Sequence, residues 1–130
     1  MKQTMLQEKY PVFMLDLKKS ETDCETVDDV VAALKARVDA HEKVAFIGVF
    51  DHYAHTKSLG GAIAEEIKDA KNLVFCFGFA LPNPQVLSVR PRSIGIADLG
   101  DHFLLSFLEP PMEIATKEME LWCKELANKG

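Results

Sequence analysis

Two groups of polar side chains in this sequence could carry chemistry, and the first is a cluster at residues 51–55. Asp51, His52 and His55 directly follow an apolar segment, VAFIGVF, at residues 44–50. Imidazole is a common metal ligand, and it also changes its charge near neutral pH. If the chain turns helically here, His52 and His55 lie on one face and could share a metal ion or a haem, with Asp51 supplying a carboxylate. His52 could instead act as a general acid–base that a neighbouring carboxylate orients.

Neither interpretation is complete within the cluster itself. A metal site usually needs three or four protein ligands, so a distant residue such as His102 or Cys76 would have to complete it. Catalysis would need a nucleophile, and no G-x-S-x-G or comparable motif surrounds the available hydroxyl and thiol groups. In the more ordinary interpretation, His52 hydrogen-bonds the backbone at the end of a strand while Tyr53 packs beside it. A structural or ligand-contacting role for the cluster is therefore favoured.

The second group is a pair of arginines, Arg90 and Arg92, that flank Pro91. Two guanidinium groups held by a rigid proline could bind a carboxylate or a phosphate. The ordinary alternative is a solvated loop, or ion pairs with Glu109 or Asp98. If the chain binds an anionic ligand, we expect it at these arginines, with the cluster at residues 51–55 across from them.

The spacing of apolar residues predicts two main helices that help to position these groups. The first covers residues 27–40, with Thr26 as N-cap and Asp29 completing a capping box. The second begins at the proline pair 110–111 and ends near Asn128. Their apolar stripes are Val27, Val30, Val31, Leu34 and Val38 in the first, and Ala115, Met119, Trp122 and Leu126 in the second.

The remaining elements are strands and one short helical piece. Helical spacing places that piece within residues 53–70, where two glycines, Gly60 and Gly61, would break any helix that began near His52. Residues 1–9 are polar and are expected to be frayed or partly ordered. The apolar spacing behind the short helix is that of Ile63, Ala64, Ile67 and Ala70, and strands are predicted at residues 12–17, 44–50, 73–79, 93–97 and 102–108.

This order, β-α-β-(α)-β-β-β-α, predicts an α+β fold in a single domain spanning residues 1–130. We expect one mostly antiparallel sheet of about five strands, with two main helices packed on one face. The other face would leave residues such as Cys76 and Phe103 uncovered. Because a second copy of the chain could cover them, we expect a homodimer.

Composition limits the kinds of partner. The net charge of −5 argues against a nucleic acid or an anionic membrane surface, because either would select a basic face. No apolar run approaches the roughly 20 residues of a membrane span, and no signal-peptide pattern opens the sequence. The three cysteines lack metal-ligand spacing and are expected to be reduced thiols of a cytoplasmic protein.

Three short motifs together resemble an uncharacterised bacterial group, domain-of-unknown-function family 302. They are Asp51-His52 after a strand, Gly78 followed by Asn83-Pro84, and Glu109-Pro110 before the last helix. Two departures, the insertion of residues 79–82 after Gly78 and Arg90-Pro91 in place of a Leu-Pro step, are compatible with a related uncharacterised family. The resemblance covers residues 26–128. It implies a β-α-β-β-β-β-α fold that is often dimeric, with no established activity, and it adds no catalytic residues.

The sequence thus predicts a non-catalytic, homodimeric binding domain for a small anionic or apolar ligand, or for a protein partner, at residues 51–55. Two alternatives stay open. One is a metal- or haem-binding protein that uses His52 and His55, and the other is an enzyme with His52 as its acid–base. No cofactor, ligand identity or reaction follows from the sequence.

Overall fold

The computed structural model describes residues 1–78 and 80–129, and it forms one antiparallel sheet of six strands. Across the sheet the strands follow the order β1-β2-β6-β5-β4-β3. Three α-helices and two short 3-10 helices, Lys19–Glu21 and Pro84–Val89, connect them. The elements are β1 (Lys2–Leu6), β2 (Tyr10–Lys18), α1 (Val27–Ala40), β3 (Ala45–Phe50), α2 (His52–Ser58), β4 (Asp69–Cys76), β5 (Arg92–Asp98), β6 (His102–Leu108) and α3 (Glu113–Lys124).

The predicted α+β fold is confirmed, with six strands rather than five. The additional strand is β1, which lies in the segment that we expected to be frayed or partly ordered. It pairs antiparallel with β2, in a register that runs from Lys2 opposite Met14 to Leu6 opposite Tyr10. Most of its side chains are exposed, and an exposed edge strand has no buried face to impose an apolar alternation on the sequence.

Helix α1 occupies the predicted residues, because its start is encoded locally. The Thr26 hydroxyl accepts a hydrogen bond from the Asp29 N–H at 3.1 Å, and the Asp29 carboxylate accepts one from the Thr26 N–H at 3.1 Å. Backbone N–H groups of Glu25 and Thr26 hold the pKa of Asp29 below its usual value. All five residues of the predicted apolar stripe are buried.

Helix α2 differs from the prediction in position. It covers His52–Ser58, before the two glycines, whereas residues 61–68 contain no helix. The Asp51 carboxylate caps its first turn, and Gly60 leaves it with a φ of +68°, which glycine adopts readily. The helical spacing of Ile63, Ala64, Ile67 and Ala70 reflects instead a loop at residues 61–68 and the start of β4 at Ala70, and these apolar side chains line a shallow pocket beside α2.

The core lies between one face of the sheet and the helices. Strand residues alternate, so that Phe103 is fully buried and contributes to the core while its neighbour Leu104 lines the opposite, open face. The expectation that Phe103 lies on the uncovered face is therefore wrong. The predicted stripe of the last helix is buried, but α3 ends at Lys124 rather than near Asn128, and Leu126 lies in a tight turn from Cys123 that follows the helix.

Strand β3 is an edge strand and not the buried strand that its apolar composition suggests. It pairs only with β4, with one register shift between Phe46 and Gly48. Ile47 is 55% exposed, and Val49 and Phe50 are each 43% exposed. An uninterrupted apolar run identifies a strand, but it does not reveal whether the strand has a hydrogen-bonded neighbour on each of its two edges.

The three cysteines, Cys24, Cys76 and Cys123, are free thiols. Burial raises the pKa of Cys123 to about 12, which keeps that thiol protonated and unreactive at neutral pH. In the described part of the chain, no helix is both long and apolar enough to cross a bilayer.

Candidate functional site

The two predicted groups of polar residues lie at opposite ends of β4. Phe50, just before the first group, pairs with Asn72 near the start of β4, whereas Arg92 pairs with Phe75 near its end. The expected arrangement, with His52 across from the arginines, is therefore not formed. We call the first place the α2 end (Asp51, His52, His55 and Lys71) and the second the arginine pocket, whose lining residues are given below.

At the α2 end, Asp51, His52 and Lys71 have polar partners within the fold. The Asp51 carboxylate accepts a hydrogen bond from the Ala54 N–H at 2.9 Å, and it lies 3.6 Å from the Lys71 ammonium. His52 Nδ1 lies 3.1 Å from the Thr56 hydroxyl oxygen. Asp51 thus starts α2 and joins it to β4, which is a structural function.

The two histidines contact a shared aromatic side chain. The Phe50 ring lies 5.3 Å from the His52 ring and 5.3 Å from the His55 ring, and all three side chains are exposed. Neither of the distant ligands that we considered is close. His102 lies on β6, with β4 and β5 between it and β3, and its ring is 2.6 Å from the Asp101 carboxylate.

Cys76 is at the far end of β4 from these histidines. Among the described residues, no group of three or more His, Cys, Asp or Glu side chains is arranged to hold a metal ion. The α2 end therefore presents two histidines on an aromatic surface rather than a coordination sphere.

The arginine pocket is an apolar cavity of about 180 Å³. Its walls come from the segment that follows β4, from the 3-10 helix Pro84–Val89, from the start of β5 and from the start of α3. Asn83 begins that 3-10 helix by accepting a hydrogen bond from the Val86 N–H at 3.1 Å. The lining residues are Phe77, Pro82, Val86, Val89, Arg90, Arg92, Pro110, Pro111, Met112 and Ala115.

Both arginines donate hydrogen bonds to backbone carbonyl groups. Arg90 Nη1 donates to the Ala80 carbonyl at 2.6 Å. Arg92 Nη1 and Nη2 donate to the carbonyls of Val89 and Leu108 at 3.1 and 2.6 Å. These bonds hold the guanidinium groups in place, but a neutral carbonyl does not balance their charge.

The positive charge at the arginine pocket is not balanced by an ion pair within the described chain. Neither Arg90 nor Arg92 forms an ion pair with a carboxylate there, and Asp98, one of the two partners that we considered, pairs with Lys19 at 2.9 Å instead. Arg92 Nε is the one buried side-chain nitrogen or oxygen in the described residues that lacks a hydrogen-bond partner. Burial lowers the pKa of Arg92 from its usual value.

The beginning of α3 also lies at the arginine pocket. Its N-cap residue, Met112, lines the pocket and provides no side-chain hydrogen bond to the first turn. Helix N-termini carry a partial positive charge on their unpaired N–H groups. The first turn also contains the Glu113 carboxylate, which offsets this partial charge, so the anion preference of the pocket rests on the two arginines.

Sequence reasoning identified the two arginines but missed the apolar walls. Phe77 lines the pocket, and it stacks on Trp122 with ring centroids 5.7 Å apart and an interplanar angle of 7°. Trp122 also contacts Phe75 edge-on at 5.5 Å. A local signal was present in the prolines at residues 82, 84, 110 and 111, which mark the two irregular segments that converge on the pocket.

These features define a class of protein: a small α+β domain with one open antiparallel sheet, helices on one of its faces, and a compact pocket at one end. The family model described as "Family of unknown function (DUF6858)" matches residues 1–128, and the chain belongs to that family. No curated protein matches the chain.

One solved structure is similar, the "uncharacterized conserved protein DUF302 from Bacillus stearothermophilus", with a TM-score of 0.56 and 13% identity. The match covers 89% of this chain and 86% of that one. The resemblance to domain-of-unknown-function family 302 is thus confirmed as a distant one, and at this identity it establishes a shared fold alone.

Proposed function

We propose that this protein is a non-catalytic domain that binds a small molecule with an apolar body and one anionic group in the arginine pocket. The observation that carries this proposal is the pair of guanidinium groups, Arg90 and Arg92, that line an apolar cavity and form no ion pair with a described carboxylate. A bound carboxylate would supply the missing charge and the missing hydrogen-bond acceptor.

The dimensions of the pocket indicate the size of the ligand. An engineered apolar cavity of about 150 Å³ accommodates benzene, and this pocket measures about 180 Å³. Guanidinium groups recognise carboxylates through planar, paired N–H donors. A single ring or a short alkyl chain that carries one carboxylate fits both properties.

The composition of the walls supports binding rather than catalysis. Apart from Arg90 and Arg92, every lining residue is apolar. None of these residues is a serine, threonine, cysteine, histidine, aspartate or glutamate, so the lining offers no nucleophile or general base.

Benzoate and benzamide form a matched pair of probes, because they share one ring and differ in charge. We expect calorimetric or NMR titration to show benzoate binding at least about tenfold more tightly than benzamide, a difference of about 1.4 kcal/mol. Arg90→Gln should weaken benzoate binding to a similar degree, and Arg92→Lys should weaken it because the planar fork is lost. Lys57→Gln, which removes an exposed charge from α2, is the matched control and should leave binding unchanged.

Equal affinities for the two probes, or no binding of benzoate, would contradict the proposal. So would benzoate binding that survives both arginine substitutions, since this would place the anion elsewhere.

We also propose that the protein is a homodimer. The observation that favours self-association is the set of exposed apolar side chains on β3, namely Ile47, Val49 and Phe50. Sedimentation equilibrium tests it directly, because a monomer has a mass of 14.5 kDa. A mass that stays at this value over the accessible concentration range would contradict the homodimer.

A further inference from the structure

We infer that the outer edge of β3 is the surface through which two copies of this chain associate, by antiparallel pairing of β3 with its symmetry mate. This inference rests on the homodimer proposed above and names its contact surface. It is independent of the arginine pocket.

The backbone of β3 is available for another strand. On one side β3 pairs with β4, and no hydrogen bond joins Ala45–Phe50 to any other described residue. An edge strand presents a row of N–H and C=O groups that another strand can satisfy. The chemistry of this edge therefore specifies an extended chain as its partner.

The composition of β3 favours a copy of itself. Natural edge strands commonly carry a lysine or a proline that discourages pairing, but β3, with the sequence AFIGVF, contains neither and no charge at all. In a two-fold antiparallel pair, each side chain faces another from the same strand. Because none is charged, no like charges meet, whereas the opposite edge strand β1 carries Lys2.

Side chains near the end of β3 extend the apolar contact. Ile47, Val49 and Phe50 are 55%, 43% and 43% exposed, and the His52 and His55 rings lie against Phe50. Specific protein interfaces bury about 1,600 Å² in total, so a short strand pair needs such flanking side chains. This gives the exposed aromatic group at the α2 end a function that needs no metal.

The register shift between Phe46 and Gly48 shortens the regular part of this edge. A bulge re-aims side chains and interrupts a regular edge. A two-fold contact also uses the same edge of both molecules, so it closes at two copies and does not propagate. The expected species is a dimer and not a fibre.

Sedimentation velocity from about 1 μM to about 1 mM, a range that covers weak and moderate affinities, tests the surface. We expect Ile47→Lys and Val49→Lys each to raise the dissociation constant of the dimer by at least tenfold. Met5→Lys and Leu6→Lys are matched controls, because both residues are 54% exposed and lie on the opposite edge strand. Neither control should change the dissociation constant.

A second measurement does not depend on how the variants fold. In wild-type protein, amide hydrogen exchange within β3 should slow as protein concentration rises, while exchange in β1 should not change. A dimer that persists in Ile47→Lys and Val49→Lys but dissociates in Leu104→Lys, on the open sheet face, would overturn the β3 surface while keeping the homodimer. Higher oligomers, or a wild-type monomer at every concentration, would also overturn it.

Discussion

The two ends of β4 each hold a cation, and the two cations are in opposite electrostatic situations. At the α2 end, Lys71 contacts the carboxylates of Asp28 and Asp51, and the hydrogen bond with Asp28 raises the pKa of Lys71. At the arginine pocket, Arg92 contacts backbone carbonyls, and burial lowers its pKa. One cation is neutralised within the fold, and the other is held in place without neutralisation.

This difference separates a structural charge from a binding charge. Asp51 and Lys71 satisfy each other and tie α2 to β4, so an external ligand would have to displace existing partners. The guanidinium groups of Arg90 and Arg92 have no ion pair in the described chain that an anion would have to displace. Sequence alone ranked the α2 end first, because histidine and aspartate are the more familiar functional residues.

The largest expected effect is a loss of stability when the aromatic stack behind the arginine pocket is removed. Trp122→Ala removes the ring that stacks on Phe77, and truncation of a buried aromatic residue costs about 3–5 kcal/mol. Leu121→Ala, at a neighbouring position that is 51% exposed, should cost less than about 0.5 kcal/mol. Urea denaturation measures both. Similar decreases in the free energy of unfolding for the two variants would show that the stack of Phe77 on Trp122 does not stabilise the fold.

Ligand-dependent stability compares the two ends directly. Benzoate at ten times its dissociation constant should raise the free energy of unfolding by about 1.4 kcal/mol. We expect Arg90→Gln to abolish most of this gain at the same benzoate concentration and Asp51→Asn to retain it. Thermal denaturation with and without benzoate is the measurement, and loss of the gain in Asp51→Asn would move the anion site to the α2 end.

Removing the cap of α2 tests whether the α2 end is structural. Asp51→Ala deprives the Ala54 N–H of its acceptor, and loss of an N-cap costs about 1 kcal/mol. Asp51→Asn keeps a capping oxygen and loses the ion pair with Lys71, so it should cost less. Equal losses in the two variants would assign the effect to charge rather than to capping.

The fold was predictable where its signals are local. Helix α1 has its capping residues and its buried stripe within 15 consecutive positions, residues 26–40, and its bounds follow from them. Helix α2 spans only seven residues and has no buried side chain, so the sequence carries no stripe that reveals it. Strand β1 was missed for a related reason, since an exposed edge strand needs no apolar face.

The candidate site was predictable in part. Arg90 and Arg92 attracted notice because Pro91 separates them, but their setting depends on residues far away in sequence. Met112 and Ala115 reach the pocket only because α3 begins beside the ends of β4 and β6. Whether these arginines form ion pairs depends on which distant segments pack beside them, and this packing cannot be read from one sequence.

The histidines should contribute little to stability as side chains of a monomer. His52→Ala and His55→Ala, combined, should change the free energy of unfolding by no more than about 0.5 kcal/mol, as is usual for exposed positions. Zn²⁺ added to wild-type protein should leave the melting temperature unchanged. A zinc-dependent rise that the double variant lacks would restore the metal-binding alternative.

The smallest expected effect is the pH dependence of the Lys71 ion pairs. The folded-state pKa of Lys71 is raised above the ordinary value of 10.5, chiefly by the hydrogen bond with Asp28. Its stabilising contribution is therefore complete below pH 10.5 and is lost as pH rises through the folded-state value. Since Asp28 is largely exposed, the contribution is modest.

The difference in melting temperature between wild-type protein and Lys71→Met should consequently stay constant up to about pH 10.5 and narrow above it, as the wild-type lysine deprotonates. The difference in melting temperature between wild-type protein and Asp28→Asn should also narrow as pH rises, because the hydrogen bond with Asp28 is the main cause of the raised pKa of Lys71. Arg92 forms no ion pair in the described chain. The difference in melting temperature between wild-type protein and Arg92→Lys should therefore not show this pH dependence, which gives the comparison at the other end of β4. If the wild-type advantage over Lys71→Met grew with pH instead, Lys71 would be destabilised by its burial, and the two ends of β4 would no longer differ in kind.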